Sequence, residues 1–487
     1  MNLSAGAWLL IGVSAVLTIA LFVWLLQSTR TVIRTRLSRA AIRVVHRFHL
    51  RINRHTLTDR QEVHDQLKND PAVRRAIQEH CNTNAVSENE GQRAVEEYIN
   101  EIVPVFNVLS YYKFGYNVAR LFVGLLYRVS SSFQDSARLN AIPRNDVVIY
   151  LMNHRSNADY IVVTYVLADG VSISYAVGEW ARVWPLERVF KSFGAYFVRR
   201  SYREPLYHTV LERYVQLITQ HGVTQGIFIE GGLTRTGKLR PPKTGLLDYC
   251  VRTIHDPAFL RDIWLVPVAN NYDRVLEDRT LIRERTDKQD RPGRLRQMST
   301  VAHYIFFNLV RFLTGNLKRY GRVAVNFGTP VSVRAWTESN PGVLEQSREE
   351  RSPKLTALAD SVLDSMADMM PVTPVPLVAA ALLSFQETVI RNADLLDRLC
   401  EYRDYLLDND RSLSPPDLEP EEILDRAWRM LTMRRLAMRD GETIAVMPKQ
   451  RPLLEFYANS VAHLLPSQER VHAMTPALDP DESLPGL

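Results

Sequence analysis

Beyond residue 140 the chain alternates short apolar runs with longer helical stretches. The runs are DVVIYLM (146–152), SISYAV (172–177), GAYFV (194–198), GIFIE (226–230), IWLVPVA (263–269) and VAVNFG (323–328). Each has the length of a buried strand, and most are bounded by turn residues. Helical stretches such as 158–168 and 205–220 separate several of them. Strands alternating with helices predict an α/β fold with a mostly parallel sheet flanked by helices. In such sheets functional groups gather where strands end and helices begin.

The flanking regions carry a helical period instead. Apolar residues recur three and four apart at Val73 and Ile77, and again at Val95, Tyr98, Ile99 and Ile102. Ser87 followed by Glu90 is a capping-box start. VARLFVGLLY (118–127) is strongly apolar but too short to span a bilayer, and reads as a core helix or an interfacial one. The aromatic stretch 296–314, with His303, Tyr304, Phe306, Phe307 and Phe312, also reads as a core or an interfacial helix. After about 345 the chain is helical again. DNDRSLSPPDLEPEE (408–422) reads as a linker or exposed loop.

The N-terminal pattern differs from both. No charged side chain occurs before Arg30, and 5–26 is almost wholly apolar. At about 1.5 Å per residue that run crosses a hydrocarbon core of roughly 30 Å. A signal peptide would carry Lys or Arg first and have a shorter apolar run, so a retained transmembrane helix is expected. Arg30, Arg34, Arg36, Arg39, Arg43 and Arg47 follow it, which places the downstream chain on the cytoplasmic side of the membrane. The expected organisation is a transmembrane anchor (1–28), an N-terminal helical region (29–135), an α/β domain (136–345) and a C-terminal helical region (346–487) with a linker near 408–422.

Composition narrows the function classes. Lys plus Arg number 60 and Asp plus Glu 54 among 487 residues, a mild excess. With the basic run beside a membrane span, nucleic-acid binding is not expected. The three cysteines, Cys81, Cys250 and Cys400, are too far apart for a CxxC zinc pair and odd in number. His46 and His49 have no further ligand at metal spacing. No metal is expected.

Four segments carry candidate chemistry. DVVIYLM runs into NHRSNADY, so His154 emerges at a strand end and Asp159 follows five residues later. On a continuous helix those side chains would point about 140° apart. A loop turning into a helix, capped by Ser156 or Asn157, can bring them together. An imidazole held by a carboxylate is a general base, although a packing histidine would show the same spacing. GAYFVRR brings Arg199 and Arg200 off a strand end, either as a phosphate fork or as a solvated pair. FIEGGLTRTGKL, followed by PPKTG, places Glu230, Gly231, Gly232, Arg235, Lys238 and Lys243 in a glycine-rich turn. That turn either cradles an anion or is an ordinary charged surface loop. VPV contains Pro267, which in a strand-like run marks an edge or a terminus.

In this order and spacing, NHRSNADY, GAYFVRR, FIEGGLTRTGKL with PPKTG, and VPVANNYDR resemble the four blocks of the glycerol-3-phosphate acyltransferase family. The likeness is nearest to the bacterial membrane-bound branch and to dihydroxyacetone-phosphate acyltransferase. It covers roughly 70–390 and includes AVRRAIQEH and TPVPLVAAALL. The resemblance implies that His154 acts as base and Asp159 orients it. It implies that Arg199, Arg200 and Arg235 bind the acceptor's phosphate. Glu230, Gly231 and Gly232 match the third block, and Pro267 matches the fourth. Acyl-CoA or acyl-carrier protein would be the co-substrate, glycerol 3-phosphate the acceptor and a phospholipid membrane the setting, with no cofactor. Lysophosphatidate and dihydroxyacetone phosphate are alternative acceptors. A catalytically silent membrane scaffold is the alternative of another class, and intact His154 and Asp159 stand against it. One departure is plain: the third block usually reads Glu-Gly-x-Arg-Ser-Arg, and here Leu233 replaces its first arginine. Lys238 or Lys243 would then compensate, or the acceptor differs.

Overall fold

The computed structural model describes residues 60–104, 120, 123–167, 173–178, 187, 191, 194–199, 202–286 and 320–466. The apolar run 5–26, the arginines that follow it, the stretch 296–314, Arg200 and most of 105–127 lie outside these residues. Among the described residues no helix is long and apolar enough to cross a membrane.

The central sheet has eight strands: β1 (Arg128–Phe133), β2 (Val147–Met152), β3 (Ser174–Gly178), β4 (Tyr196–Val198), β5 (Gln225–Phe228), β6 (Ile263–Tyr272), β7 (Arg322–Phe327) and β8 (Val331–Ser332). Across the sheet the order is β1-β7-β6-β2-β5-β3-β4, with β8 beside β6. β4, β3, β5, β2 and β6 run parallel, while β7 and β8 pair antiparallel with β6. Every residue of β2 is buried. That is why it reads as one unbroken apolar run: a strand covered on both faces has no polar side to show.

The structure corrects several expectations. Residues 128–133, expected within a helical region, form strand β1, which pairs parallel with β7. The C-terminal region is not wholly helical. Its β9 (Val389–Arg391), β10 (Ala437–Asp440) and β11 (Thr443–Val446) make a small antiparallel sheet. The segment 408–422 joins two helices and is largely exposed, as expected of a linker, but it is anchored at a few points. Val372 and Leu413 bridge, Ser414 and Leu418 are buried, and the next helix starts at Pro420. Pro267 marks neither an edge nor a strand end, because it lies inside β6, opposite Leu151 of β2. Its carbonyl accepts from the Gly328 N–H at 2.9 Å. Within a strand the N and C=O of one residue face the same neighbour. The missing N–H therefore faces the break where β6 changes partner from β8, opposite Leu265, to β7, opposite Val268.

Local chemistry sets the helix starts. Ser87 and Glu90 form the expected capping box for Glu88–Ile102. Asp70 caps Pro71–Asn84 through its side chain. The long helix Arg348–Asp368 docks on the helix Gly245–Val251 through a buried ion pair from Arg351 to Asp248, at 2.7 Å.

Candidate active site

β2 lies between β5 and β6, and all three run in the same direction, so their C-terminal ends meet. β2 delivers Asn153 and His154, β5 leads into Glu230, and β6 ends in Asn270, Asn271 and Tyr272. Asn153 ties two of these ends. Its side chain donates to the Asn270 carbonyl at 3.0 Å and accepts from the Asn270 N–H at 2.7 Å.

The turn after β2 folds around Asp159. Ser156 Oγ accepts from the Ala158 N–H at 3.1 Å, and the helix Asp159–Leu167 begins there. Asp159 Oδ2 lies 3.0 Å from His154 Nδ1 and also accepts from the N–H groups of Arg155 (2.7 Å) and Ser156 (3.0 Å). Asp159 Oδ1 accepts from Tyr272 Oη at 2.6 Å. A carboxylate collecting that many donors takes the Nδ1 proton as acceptor, which leaves the neutral ring's lone pair on Nε2. The ring stacks on Phe228, centroids 3.9 Å apart. His154 is 4% exposed and Asp159 is fully buried. The pair is therefore preorganised in a site that water reaches little.

Glu230, expected to bind substrate, is placed as a brace. It is 1% exposed, and it accepts from the His154 N–H at 2.9 Å and from the Arg240 N–H at 3.1 Å. Burial raises its pKa to about 7, against the pull of those two donors and of Arg155. The His154 carbonyl accepts from the Thr234 N–H at 3.0 Å, so the glycine-rich turn lies over the histidine. Gly231 holds φ +64, and the Lys243 side chain packs against it. Gly232 is buried, and Arg235 and Lys238 are exposed on the same loop. Pro267 is buried one strand over, in β6.

Arg199 is placed elsewhere. β4 is three strands from β2, roughly 14 Å at ordinary strand spacing. Its guanidinium engages Glu101 through two nitrogens and lies over the rings of Tyr202 and Tyr207, at 4.6 and 5.5 Å. Its fork is turned to the helix Glu88–Ile102 rather than toward His154.

Sequence reasoning assigned no role to Tyr272, Glu277, Arg155 or Arg240. Glu277 accepts from Ser156 Oγ at 2.8 Å, and burial raises its pKa to about 7. Arg155 is 2% exposed, donates to the Gly237 carbonyl at 2.8 Å and sits over the Phe456 ring. Burial lowers its pKa. Tyr272 lay within the fourth block, and that position was the available signal. Nothing local marks Glu277 or Phe456, which reach the site only through the fold.

Known proteins resemble this chain along most of its length. The Acyltransferase family matches residues 136–271, and the family "Glycerol-3-phosphate acyltransferase C-terminal region" matches 306–468. A glycerol-3-phosphate acyltransferase of Actinobacillus succinogenes is 28% identical over 84% of this chain and 50% of its own. Those of Haemophilus influenzae (strain PittEE) and Aeromonas hydrophila are 27% and 28% identical over 84% and 86% of this chain, and 51% of theirs. The chain spans about half the length of the curated relatives it matches. Among solved structures, the 1-acyl-sn-glycerophosphate (LPA) acyltransferase PlsC of Thermotoga maritima covers 57% of this chain and 82% of its own at 17% identity. The TM-score of that match is 0.29.

Proposed function

The chain belongs to the glycerol-3-phosphate acyltransferase family, and from that premise we propose that it acylates the sn-1 hydroxyl of glycerol 3-phosphate from acyl-CoA or acyl-carrier protein. The observation that carries this reading is the buried His154–Asp159 pair beneath the glycine-rich loop. His154 Nε2 takes the hydroxyl proton as the oxygen attacks the thioester carbonyl. The tetrahedral intermediate then collapses, the C–S bond breaks, and the leaving thiolate takes the proton back from the imidazolium. The products are lysophosphatidate and a free thiol. Asp159 holds the tautomer and balances the transient positive charge, as an orienting carboxylate does in a triad. No enzyme nucleophile is involved. Arg235 and Lys238, exposed on the loop, supply positive charge for the acceptor's phosphate.

The chain is further proposed to be held in the cell inner membrane by the apolar run 5–26, with the catalytic domain in the cytoplasm. The charge-free run and the arginines after it support this. Leu233, in place of the third block's first arginine, favours lysophosphatidate as the second candidate acceptor.

Membranes containing the whole chain, given palmitoyl-CoA and each acceptor in turn, test these readings. Lysophosphatidate formed from glycerol 3-phosphate is expected, and the chain should stay with the lipid after an alkaline wash. Brisk acylation of lysophosphatidate with none of glycerol 3-phosphate would reject the acceptor. No transfer to any acceptor would point to a silent scaffold, and release by the wash would reject the anchor.

A further inference from the structure

The third block lacks its first arginine, and another arginine reaches the backbone at that position. Arg240 folds back so that its Nη1 donates to the carbonyl of Leu233 at 3.2 Å. Its own N–H donates to Glu230 Oε2, while Glu230 Oε1 accepts from the His154 N–H. One buried carboxylate thus ties the main chain of Arg240 to that of the histidine. Among the described residues, Nε and Nη2 of Arg240 have no hydrogen-bond partner, and the side chain is half-buried. A guanidinium so placed keeps a planar pair of donors for an anion.

Three other cations of the region are engaged or placed differently. Arg199 is turned to Glu101, and Arg155 is sealed under Phe456 with its bond to Gly237. Lys243 packs against Gly231.

We infer that Arg240 joins Arg235 and Lys238 in binding the acceptor's phosphate in this chain, taking over from the arginine that Leu233 replaces. The ligand class is a small phosphomonoester that carries the hydroxyl to be acylated. The inference rests on the acyltransferase reading above and adds a residue that the resemblance does not assign.

Steady-state kinetics on the whole chain separate the two claims. Arg240→Gln is expected to raise the KM for glycerol 3-phosphate about 10- to 100-fold, the range for losing a charged hydrogen bond. The KM for palmitoyl-CoA and kcat at saturating acceptor should stay within about three-fold. Adding Leu233→Arg to Arg240→Gln should bring the acceptor KM back toward wild type, which a merely structural arginine would not allow. An unchanged acceptor KM in Arg240→Gln overturns the inference. So does a loss in which kcat, both KM values and thermal midpoint fall together without rescue by Leu233→Arg. If wild type uses lysophosphatidate instead, the acceptor reading fails, and the same KM split on lysophosphatidate decides the role of Arg240. Wild type acylating glycerol as fast as glycerol 3-phosphate would sink both.

Discussion

At the scale of single residues, the site is a histidine whose orientation is fixed from below. Tyr272, Arg155 and Ser156 all donate to Asp159, and Asp159 meets Nδ1. Buried Glu230 and half-buried Glu277 complete it, and both titrate late. Burial raises the pKa of Glu277 from the ordinary value near 4.5 to about 7, with the Asp159 charge adding to the shift. The folded state then holds that proton more tightly than the unfolded chain does. The stability it contributes is full below about pH 4.5 and is lost as pH rises through about 7. Glu277→Gln keeps an acceptor for Ser156 Oγ and removes the titration. Its urea midpoint should therefore fall less between pH 5 and pH 8 than the wild-type midpoint does. Identical slopes would show that the Glu277 carboxyl is not held protonated by the fold. His154 and Asp159 were legible as a pair because a strand runs straight into them. Tyr272, 113 residues further on, was not, because its role depends on which strand lies beside β2. Arg199 was legible as an arginine at a strand end. What fills its fork was not, because Glu101 comes from a separate helix.

At the scale of elements, the strands that read clearly are those buried on both faces. β1 is RVSSSF, an edge strand with a largely open surface, and its polar composition hid it. Pro267 misled for the opposite reason: a central strand tolerates proline only where its partner changes, and that change lies in the tertiary fold. The glycine-rich loop was visible as a turn, but its clamp was not. Gly237 sits at φ +83, and a Cβ there would lie 1.8 Å from the Phe456 carbonyl oxygen. Asn459 also donates to the Thr236 carbonyl at 2.8 Å. Gly237→Ala should cost more than the roughly 1–3 kcal/mol of left-handed strain alone. It should also raise the acceptor KM more than the donor KM, because it displaces the loop. Gly441→Ala, at φ +57 with open space around it, isolates the strain. Equal losses of stability in the two variants, with unchanged kinetics at Gly237, would mean that the clamp does not position the loop.

At the scale of the whole molecule, the C-terminal region is part of how the site is held. Phe456 covers Arg155, and Tyr457 donates to Asp278, which also pairs with Arg434. Asn271 donates to the Pro371 carbonyl and to Ser460, and Asp273 accepts from the Val375 N–H. The strand end that carries Tyr272 is thus pinned by residues a hundred or more positions away. A sequence shows such residues only as a helical period. The contacts of Arg155 and Asn271 cross from the segment matched as an acyltransferase to the segment matched as the C-terminal region. The central claim is that this assembly presents His154 as the base for direct acyl transfer. It is tested most directly by the rate of lysophosphatidate formation from palmitoyl-CoA and glycerol 3-phosphate in wild type and in His154→Ala. Both must show the same thermal midpoint. A fall of about 10²–10⁴-fold or more is expected, the usual worth of a positioned general base. A His154→Ala variant that keeps its fold and most of its rate would contradict the account.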